Sequence, residues 1–500
     1  LSTIYIEKIS ETYIKINSTK DIETELSQYF TFESPGAKYT PLYKAKRWDG
    51  MIRLYNRSTK LLYAGLYDMV VSWAENNGYE IEIIQNEYYT IFSKEKEVDR
   101  EKVEAWINSL DVHDGYGNPI EVREYQIDAF IQAIKTKRII LLSPTASGKS
   151  LIIYLLVRFF QMINKKMLLV VPSVALVQQM FNDFNDYALT QEWKSEDNCQ
   201  EIYAGKTKEI TKSVTISTWQ SLYDLKNKSF FEQFDVVFGD EAHQFKSKSL
   251  CTIMEKLSNA KYRVATTGTI DEKSSVNILT LTGLFGKQFT VSTLRELMDD
   301  GFISQLKIKV LVLKHSDEVR KVVSKYDYKN EINYICCDQE RNEFIAKLAL
   351  SCDGNTLILV NYVEKHAKPL IEMISEMVKG TDRKVFGIFG SASIEDLKGP
   401  IEKENNCTII ASYSKFSTGA NVPSIRNIIF GSPNKSYIRI FQSLGRGLRL
   451  HKNKDYCTLY DIIDNLSWKK KRNTTIEHGT ERIKMYNDQE FNYDIEEIDL

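Results

Sequence analysis

The sequence is poor in every feature that would tie it to a metal cluster, a membrane or an oxidising compartment. Its seven cysteines include no C-x₂-C pair, Cys336 and Cys337 being merely adjacent, and its six histidines are dispersed. Neither a zinc site nor a disulfide framework is expected, and the thiols read as reduced, as in a cytosolic protein. No apolar run reaches the roughly 18 residues of a membrane span. Nothing at the N-terminus reads as a secretory signal, and position 1 is Leu, so the native start is expected to be missing or processed. Net charge is nearly absent as well, at −1 over 500 residues, so the total gives no hint of a polyanionic partner. Local charge is different. From Lys38 to Lys60 there are seven Lys/Arg against one acid, from Asn434 to Arg472 ten against three, and the last fourteen residues carry six acids and no base.

What is present is enough apolar residue, 43%, to bury several cores. At about 150 residues per domain the length points to roughly three domains. His113 to Pro119 is rich in turn formers and marks the first boundary. Before it, residues 1–112 mix strand and helix patterns and read as a small α+β accessory domain. From 113 to 305, apolar strands alternate with amphipathic helices, the pattern of a parallel sheet covered on both faces. A second such series fills 306–500 and closes with a C-terminal helix. The fold class is therefore α/β, with two tandem parallel-sheet domains after an accessory domain. No internal repeat is visible in the sequence.

Two motifs, Lys149 and Asp240 being 91 positions apart, carry the chemistry. Ser143-Pro-Thr-Ala-Ser-Gly-Lys-Ser150 follows the apolar run Ile139–Leu142 and precedes Leu151–Val157, giving strand, loop and buried helix in order. Backbone N–H groups of Thr145, Ala146, Ser147 and Gly148 and of the helix N-terminus would surround phosphates. Lys149 would neutralise the β/γ oxygens of ATP, and the Ser150 hydroxyl would ligate Mg²⁺. Asp240-Glu-Ala-His243 ends a second apolar run, so Asp240 would emerge near that metal and Glu241 would accept a proton from the attacking water. Ser143 stands where such loops usually have Gly or Ala. A lone Gly-Lys-Ser or Asp-Glu is common; both in order, each after a strand, are not.

Arg446 and Arg449 lie three apart in Gln442-Ser-Leu-Gly-Arg-Gly-Leu-Arg449, on one face if the segment is helical. A planar, permanent charge suits a γ-phosphate in its transition state, although alone such a pair is more often a solvated surface. The first basic stretch interleaves Tyr39, Tyr43, Trp48 and Tyr55 with its cations, a mixture suited to single strands or junction openings. Within it, Lys46 and Arg47 are the best candidates for phosphate contact, whereas Trp48 reads as core. Asp49-Gly50 signals a tight hairpin turn.

From Arg123 to the C-terminal helix the ordered motifs resemble those of superfamily 2 helicases. Arg123-Glu-Tyr-Gln126 is similar to their adenine-reading motif, with Gln126 paired to the base. Val171 to Leu176 and Ser217 to Gln220 resemble strand-contact motifs, implying nucleic-acid contacts at Pro172, Ser173, Thr218 and Gln220. Thr267-Gly-Thr269 resembles the motif coupling hydrolysis to domain movement. Asn361-Tyr362 and Phe416 to Asn421 resemble second-domain motifs, implying strand contacts at Asn361, Ser417 and Thr418 and a nucleotide contact at Gly419. In such enzymes Gln442, Arg446 and Arg449 would face the γ-phosphate, and both α/β domains are RecA-like. Arg47 to Leu54, Gly283 to Gly286, Leu297 to Gly301 and Glu490 to Tyr493 further resemble the UvsW recombination helicases of T-even bacteriophages. That family implies an ATP- and Mg²⁺-dependent motor on branched or single-stranded DNA and RNA–DNA hybrids, with recombination or single-strand-binding proteins as partners, in the host cytoplasm. An RNA helicase, the motor of a restriction or nuclease complex, and a non-catalytic binding module are the alternatives. Because the motor motifs all follow residue 122, residues 1–112 are expected to be removable without touching the ATP site.

Overall fold

The structure, a computed structural model, describes residues 3–34, 37–86, 97–242, 247–268, 275–389, 399–401, 403–419, 424–433, 448, 450 and 456–500. The chain divides into two units, one of residues 1–143 and 148–291, the other of 144–147 and 292–500.

The first unit opens with a four-stranded sheet in the order Leu61–Tyr63, Tyr13–Asn17, Thr3–Lys8, Glu80–Ile84. Alternation builds it: Ile4, Ile6, Ile14 and Ile16 point inward and are essentially fully buried while their neighbours stay polar. Asp49-Gly50 does not close a tight hairpin. The strand Met51–Arg53 pairs with Thr31–Glu33, well upstream, and Asp49 instead accepts a hydrogen bond from the Met51 N–H at 3.0 Å and pairs with Arg53. The short polar side chain stabilises a local turn at the strand's start, which an Asp-Gly pair signals as readily as a hairpin.

Next comes a seven-stranded, wholly parallel sheet: Lys287–Thr290, Arg138–Leu142, Tyr262–Thr267, Val236–Asp240, Met167–Val171, Val214–Thr218, Cys199–Ile202. Its central strands are apolar on both faces, as a sheet covered by crossover helices must be. Ile139, Leu141, Leu169 and Phe238 meet the helices Glu124–Thr136 and Lys149–Met162 on one side. Ile140, Leu168, Val170 and Val237 belong to a core that continues into Ile6, Phe30, Leu62 and Leu66 of the N-terminal region.

The N-terminal region is thus welded to the first α/β domain rather than tethered to it. The backbone N–H of Glu11 reaches Ser258 O at 2.9 Å, and the Tyr63 hydroxyl donates to Glu255 at 2.8 Å. The helix Ser275–Phe285 brings Gly283 so close that a Cβ there would lie 2.9 Å from Tyr63 Cβ, and one on Gly65 would lie 2.2 Å from Thr282 O. Buried charge completes the joint. Glu11 pairs with Lys8 at 2.8 Å and Arg138 at 3.1 Å, and the fully buried Arg263 donates to the Thr12 hydroxyl at 2.7 Å. Residues 1–112 are therefore not removable at no cost: without them Arg138, Arg263 and an apolar face lose their cover.

The second unit carries another seven-stranded parallel sheet, ordered Lys384–Ile388, Cys407–Ser412, Asn355–Val360, Ile425–Phe430, Tyr456–Asn465, Gln305–Lys314, Tyr493–Asp499. Arg341 holds Asp464 bidentately at 2.7 and 3.0 Å, and Arg482 holds Asp461 at 2.9 Å through both oxygens, all four side chains buried. No helix among the described residues is long and apolar enough to cross a membrane.

Burial opposes the charge on Glu11, but Lys8 and Arg138 outweigh it and hold the carboxyl below the ordinary glutamate range. Burial pushes Lys8 and Arg138 below their own usual ranges, so the network favours its carboxylate more than its cations. Glu11→Ala strips the partner from two buried cations and should cost about 3–5 kcal/mol, whereas replacing all three charges, Glu11→Leu with Lys8→Met and Arg138→Met, should lose much less. Urea unfolding of both variants checks this. In the wild type the Glu11 contribution is present above the ordinary glutamate pKa and fades as pH falls through the depressed one, a slope that Glu11→Ala should lack.

Candidate nucleotide site and strand-contact motifs

In a parallel sheet all strands end on the same edge, and the candidate residues of the first unit sit there. Ser143 continues the strand Arg138–Leu142 by one rung, its N–H donating to Thr267 O at 2.9 Å. It is fully buried, so a small side chain is what this position takes. Within the loop that follows, the Ser147 hydroxyl donates to Pro144 O at 2.6 Å and Ala146 adopts φ +71°. Gly148, at φ +80°, caps the helix Lys149–Met162.

Gln126 braces this turn. It is buried on the helix Glu124–Thr136, its amide oxygen accepts the Arg123 N–H at 3.0 Å, and its amide nitrogen lies where a Gly148 Cβ would approach to 2.3 Å. Arg123 in turn donates to the Tyr125 hydroxyl at 2.8 Å.

Lys149 Nζ lies 3.4 Å from Glu241 Oε1 and donates to Ser143 O at 3.3 Å. Asp240 ends the strand Val236–Asp240 and is almost fully buried, and its Oδ1 accepts the Thr266 hydroxyl at 2.6 Å. Burial, then the neighbouring Glu241 charge, pushes the Asp240 carboxyl up to about 6 despite Lys149 and Thr266. Glu241 itself is held at φ +49°, a left-handed conformation costly for a glutamate and frequent at functional sites. The Ser150 hydroxyl is hydrogen-bonded to the Tyr187 hydroxyl at 2.7 Å. Among the described residues, two adjacent carboxylates here face one lysine. Hard oxygen donors at Ser150 and Asp240 suit a Mg²⁺ ion, and a cation there would relieve the cost that raises the Asp240 pKa. Thr266 and Tyr187 were not singled out by sequence. Thr266 was findable, because it stands opposite Asp240 in the parallel register and directly precedes the Thr267 motif.

The strand-contact motifs meet on the same edge. Pro172 and Ser173 follow Met167–Val171, Thr218 ends Val214–Thr218, and the Gln220 amide donates to Pro172 O at 3.2 Å. Ser173 caps the helix Val174–Tyr187; Thr218 is buried against Ser221, while Gln220 is exposed. In the second unit Asn361 follows Asn355–Val360 and donates to Pro433 O at 2.9 Å. Ser417, Thr418 and Gly419 lie on the helix Tyr413–Gly419. Gln442, Arg446, Arg449, His243, Thr269 and Asn421 fall outside the described residues. Lys46 and Arg47 are exposed beside Tyr39 and Leu42, and Trp48 is half-buried with its indole N–H on Met51 O at 3.0 Å. Of the seven cations in that stretch, Lys38, Arg53 and Lys60 pair with Glu33, Asp49 and Glu23.

Residues 4–84 match the family model of the DNA helicase UvsW N-terminal domain, and residues 119–272 match that of the Type III restriction enzyme res subunit. The ATP-dependent DNA helicase uvsW of Enterobacteria phage T4 is 31% identical, with the alignment spanning 98% of each chain. The chain belongs to the UvsW family of superfamily 2 helicases. The crystal structure of T4 UvsW matches over 99% of both chains, with a TM-score of 0.52 and 29% identity. The Type ISP restriction-modification enzyme LlaBIII bound to DNA covers 77% of this chain and 32% of its own at TM-score 0.54 and 15% identity, a likeness of fold alone. The architecture is that of two tandem RecA-like domains after a small α+β domain.

Gly148→Ala should therefore destabilise the protein more than Gly205→Ala. Both sit at positive φ, +80° and +87°, but nothing lies within 4 Å of a Cβ at Gly205. Strain alone should cost about 1 kcal/mol at Gly205, and displacement of Gln126 should add to it at Gly148. Equal shifts in melting temperature would separate Gln126 from the loop.

Proposed function

We propose that this member of the UvsW family is an ATP-dependent DNA helicase that remodels branched DNA and RNA–DNA hybrids in the cytoplasm. The observation that carries the chemistry is the Lys149–Glu241 ion pair beside Asp240 at the C-terminal edge of a parallel sheet. Incoming triphosphate competes for Lys149, whose charge transfers from Glu241 to the β/γ oxygens. Glu241 is then free to accept the proton as water attacks the γ-phosphorus and the bond to ADP breaks. Ser150 and Asp240 would hold Mg²⁺, which would supply positive charge against the phosphate oxygens. Backbone groups from Thr145 to Gly148 cradle the phosphates, Arg123 and Gln126 shape the base side, and Gly419, Gln442, Arg446 and Arg449 complete the site from the second domain. Pro172, Ser173, Thr218, Gln220, Asn361, Ser417 and Thr418 follow one strand, and Lys46 and Arg47 hold the branch. The domains we assign are 1–112, 113–305 and 306–500, with recombination or single-strand-binding proteins as partners.

The match of residues 119–272 to a restriction-enzyme subunit lies in the motor common to both classes. The match of residues 4–84 lies outside that motor and favours the helicase reading.

Lys149→Ala should abolish ATP hydrolysis, and Glu241→Gln should retain ATP binding while stalling turnover. Hydrolysis by Glu241→Gln at the wild-type rate would remove it as the base. Arg446→Ala should lower kcat by about 10³-fold. Turnover should rise most with forks and four-way junctions, less with single-stranded DNA and least with RNA; the reverse order would favour an RNA helicase.

Branch grip has its own test. Lys46→Ala with Arg47→Ala should flatten the plot of log affinity for forks against log salt by about 1.8. An unchanged slope would take the pair off the DNA.

A further inference from the structure

The first unit carries a cavity of about 680 Å³ on the sheet edge opposite the nucleotide motifs. It lies at the far end of the helix Lys149–Met162, and Lys166 and Lys212, which precede the strands Met167–Val171 and Val214–Thr218, line it. Those strands end at Val171 and Thr218, so the cavity is about 16 Å from the strand-contact motifs. A ligand there would leave nucleotide and DNA undisturbed.

Its walls are indole and cation. Trp106, Leu110 and Trp193 supply apolar surface, and Arg158, Lys166 and Lys212 supply charge. The frame is fixed by hydrogen bonds: the Trp193 indole donates to Gln161 Oε1 at 2.9 Å, and Gln161 donates to Ser213 at 2.8 Å. Arg158 donates to Tyr154 and Gln191, both neutral, and lies 5.5 and 5.4 Å from the Tyr154 and Trp193 rings. Lys165 is satisfied by Asp235 at 3.0 Å. Among the described residues no carboxylate pairs with Arg158, Lys166 or Lys212. The cavity thus keeps unneutralised positive charge next to apolar walls.

That combination calls for an anionic ligand with an apolar anchor. The rings do not suit a nucleic-acid strand, which needs open ring faces for stacking. Trp193 already carries Arg158, and Trp106 stacks on Phe130 at 5.6 Å. An aromatic side chain can instead pack edge-on against these rings without an open face, with carboxylates toward Lys166 and Lys212, and the space lies in the roughly 300–1,000 Å³ range of ligand pockets. We propose that this cavity docks an acidic peptide segment of a partner protein, with an aromatic side chain seated against Trp106 and Trp193.

The test uses the full chain and a fluorescein-labelled peptide of alternating Asp and Gly closed by a C-terminal Phe. Fluorescence anisotropy should show saturable binding that weakens with salt. Lys166→Glu combined with Lys212→Glu should weaken it by about tenfold or more, and replacing the peptide's Phe by Ala should weaken it comparably. Both substitutions are at the rim, so the melting temperature should not move. Absence of saturable binding, equal affinity for wild type and double variant, or indifference to the Phe would each overturn the proposal. Displacement of the peptide by oligothymidylate that depends on Lys166 and Lys212 would reassign the cavity to nucleic acid.

Discussion

A parallel sheet exposes no face to water, and the rest of the first unit follows from that requirement. Its strands are joined by crossovers that lay helices on the faces, and every gap left between helices must be filled by something apolar. On the side of Ile139, Leu169 and Phe238 the crossover helices suffice. On the side of Ile140, Leu168 and Val237 the core runs on into Ile6, Phe30 and Leu62, so the N-terminal sheet helps to complete the motor domain's cover. An element expected to grip DNA is also part of a motor domain's hydrophobic core.

The same requirement sets the electrostatics. Strand ends emerge from a dry interior, so a carboxylate placed there is poorly solvated, and Asp240 is pushed up to about 6. Lys149 sits between this cost and its relief, 3.4 Å from Glu241 and bonded to Ser143 O. The site is built for charges that arrive with the substrate. Beside it Glu241 and Ala146 take left-handed φ, which a side chain adopts at a cost, and Gly148 takes it freely. Strand geometry cannot persist into a loop that must turn its backbone toward phosphate.

The central strands were legible because burial on both faces writes itself as unbroken apolar runs: Met167–Val171 and Asn355–Val360 are buried throughout. The loop from Ser143 to Ser150, Pro172, Asp240 and Asn361 were legible for the same reason, each at the end of such a run, whereas Arg123 to Gln126 stands at a helix start and rested on the family resemblance. Three things were not. The Asp49-Gly50 turn depends on which strand Met51–Arg53 pairs with, and pairing partners leave no local trace. The brace from Gln126 to Gly148 joins segments that composition cannot connect. The docking role of Gly283 depends on Tyr63, 220 positions away.

Charge counting along the sequence shows the limit most clearly, because it misleads in opposite directions at the two basic stretches. Between Lys38 and Lys60 the count is seven cations less Asp49, or +6. Glu33 and Glu23, outside the counted interval, hold Lys38 and Lys60, which brings the effective excess to +4. Between Asn434 and Arg472 the count is ten less three, or +7. Two of those three acids, Asp461 and Asp464, are buried and neutralised by Arg482 and Arg341 from outside the interval, so they do not offset that stretch's cations. Carboxylates spent inside the core cannot repel a phosphate at the surface. What the N-terminal region contributes is then less total charge than placement: Lys46 and Arg47 are exposed, the Arg47 N–H donating to Leu42 O at 2.9 Å.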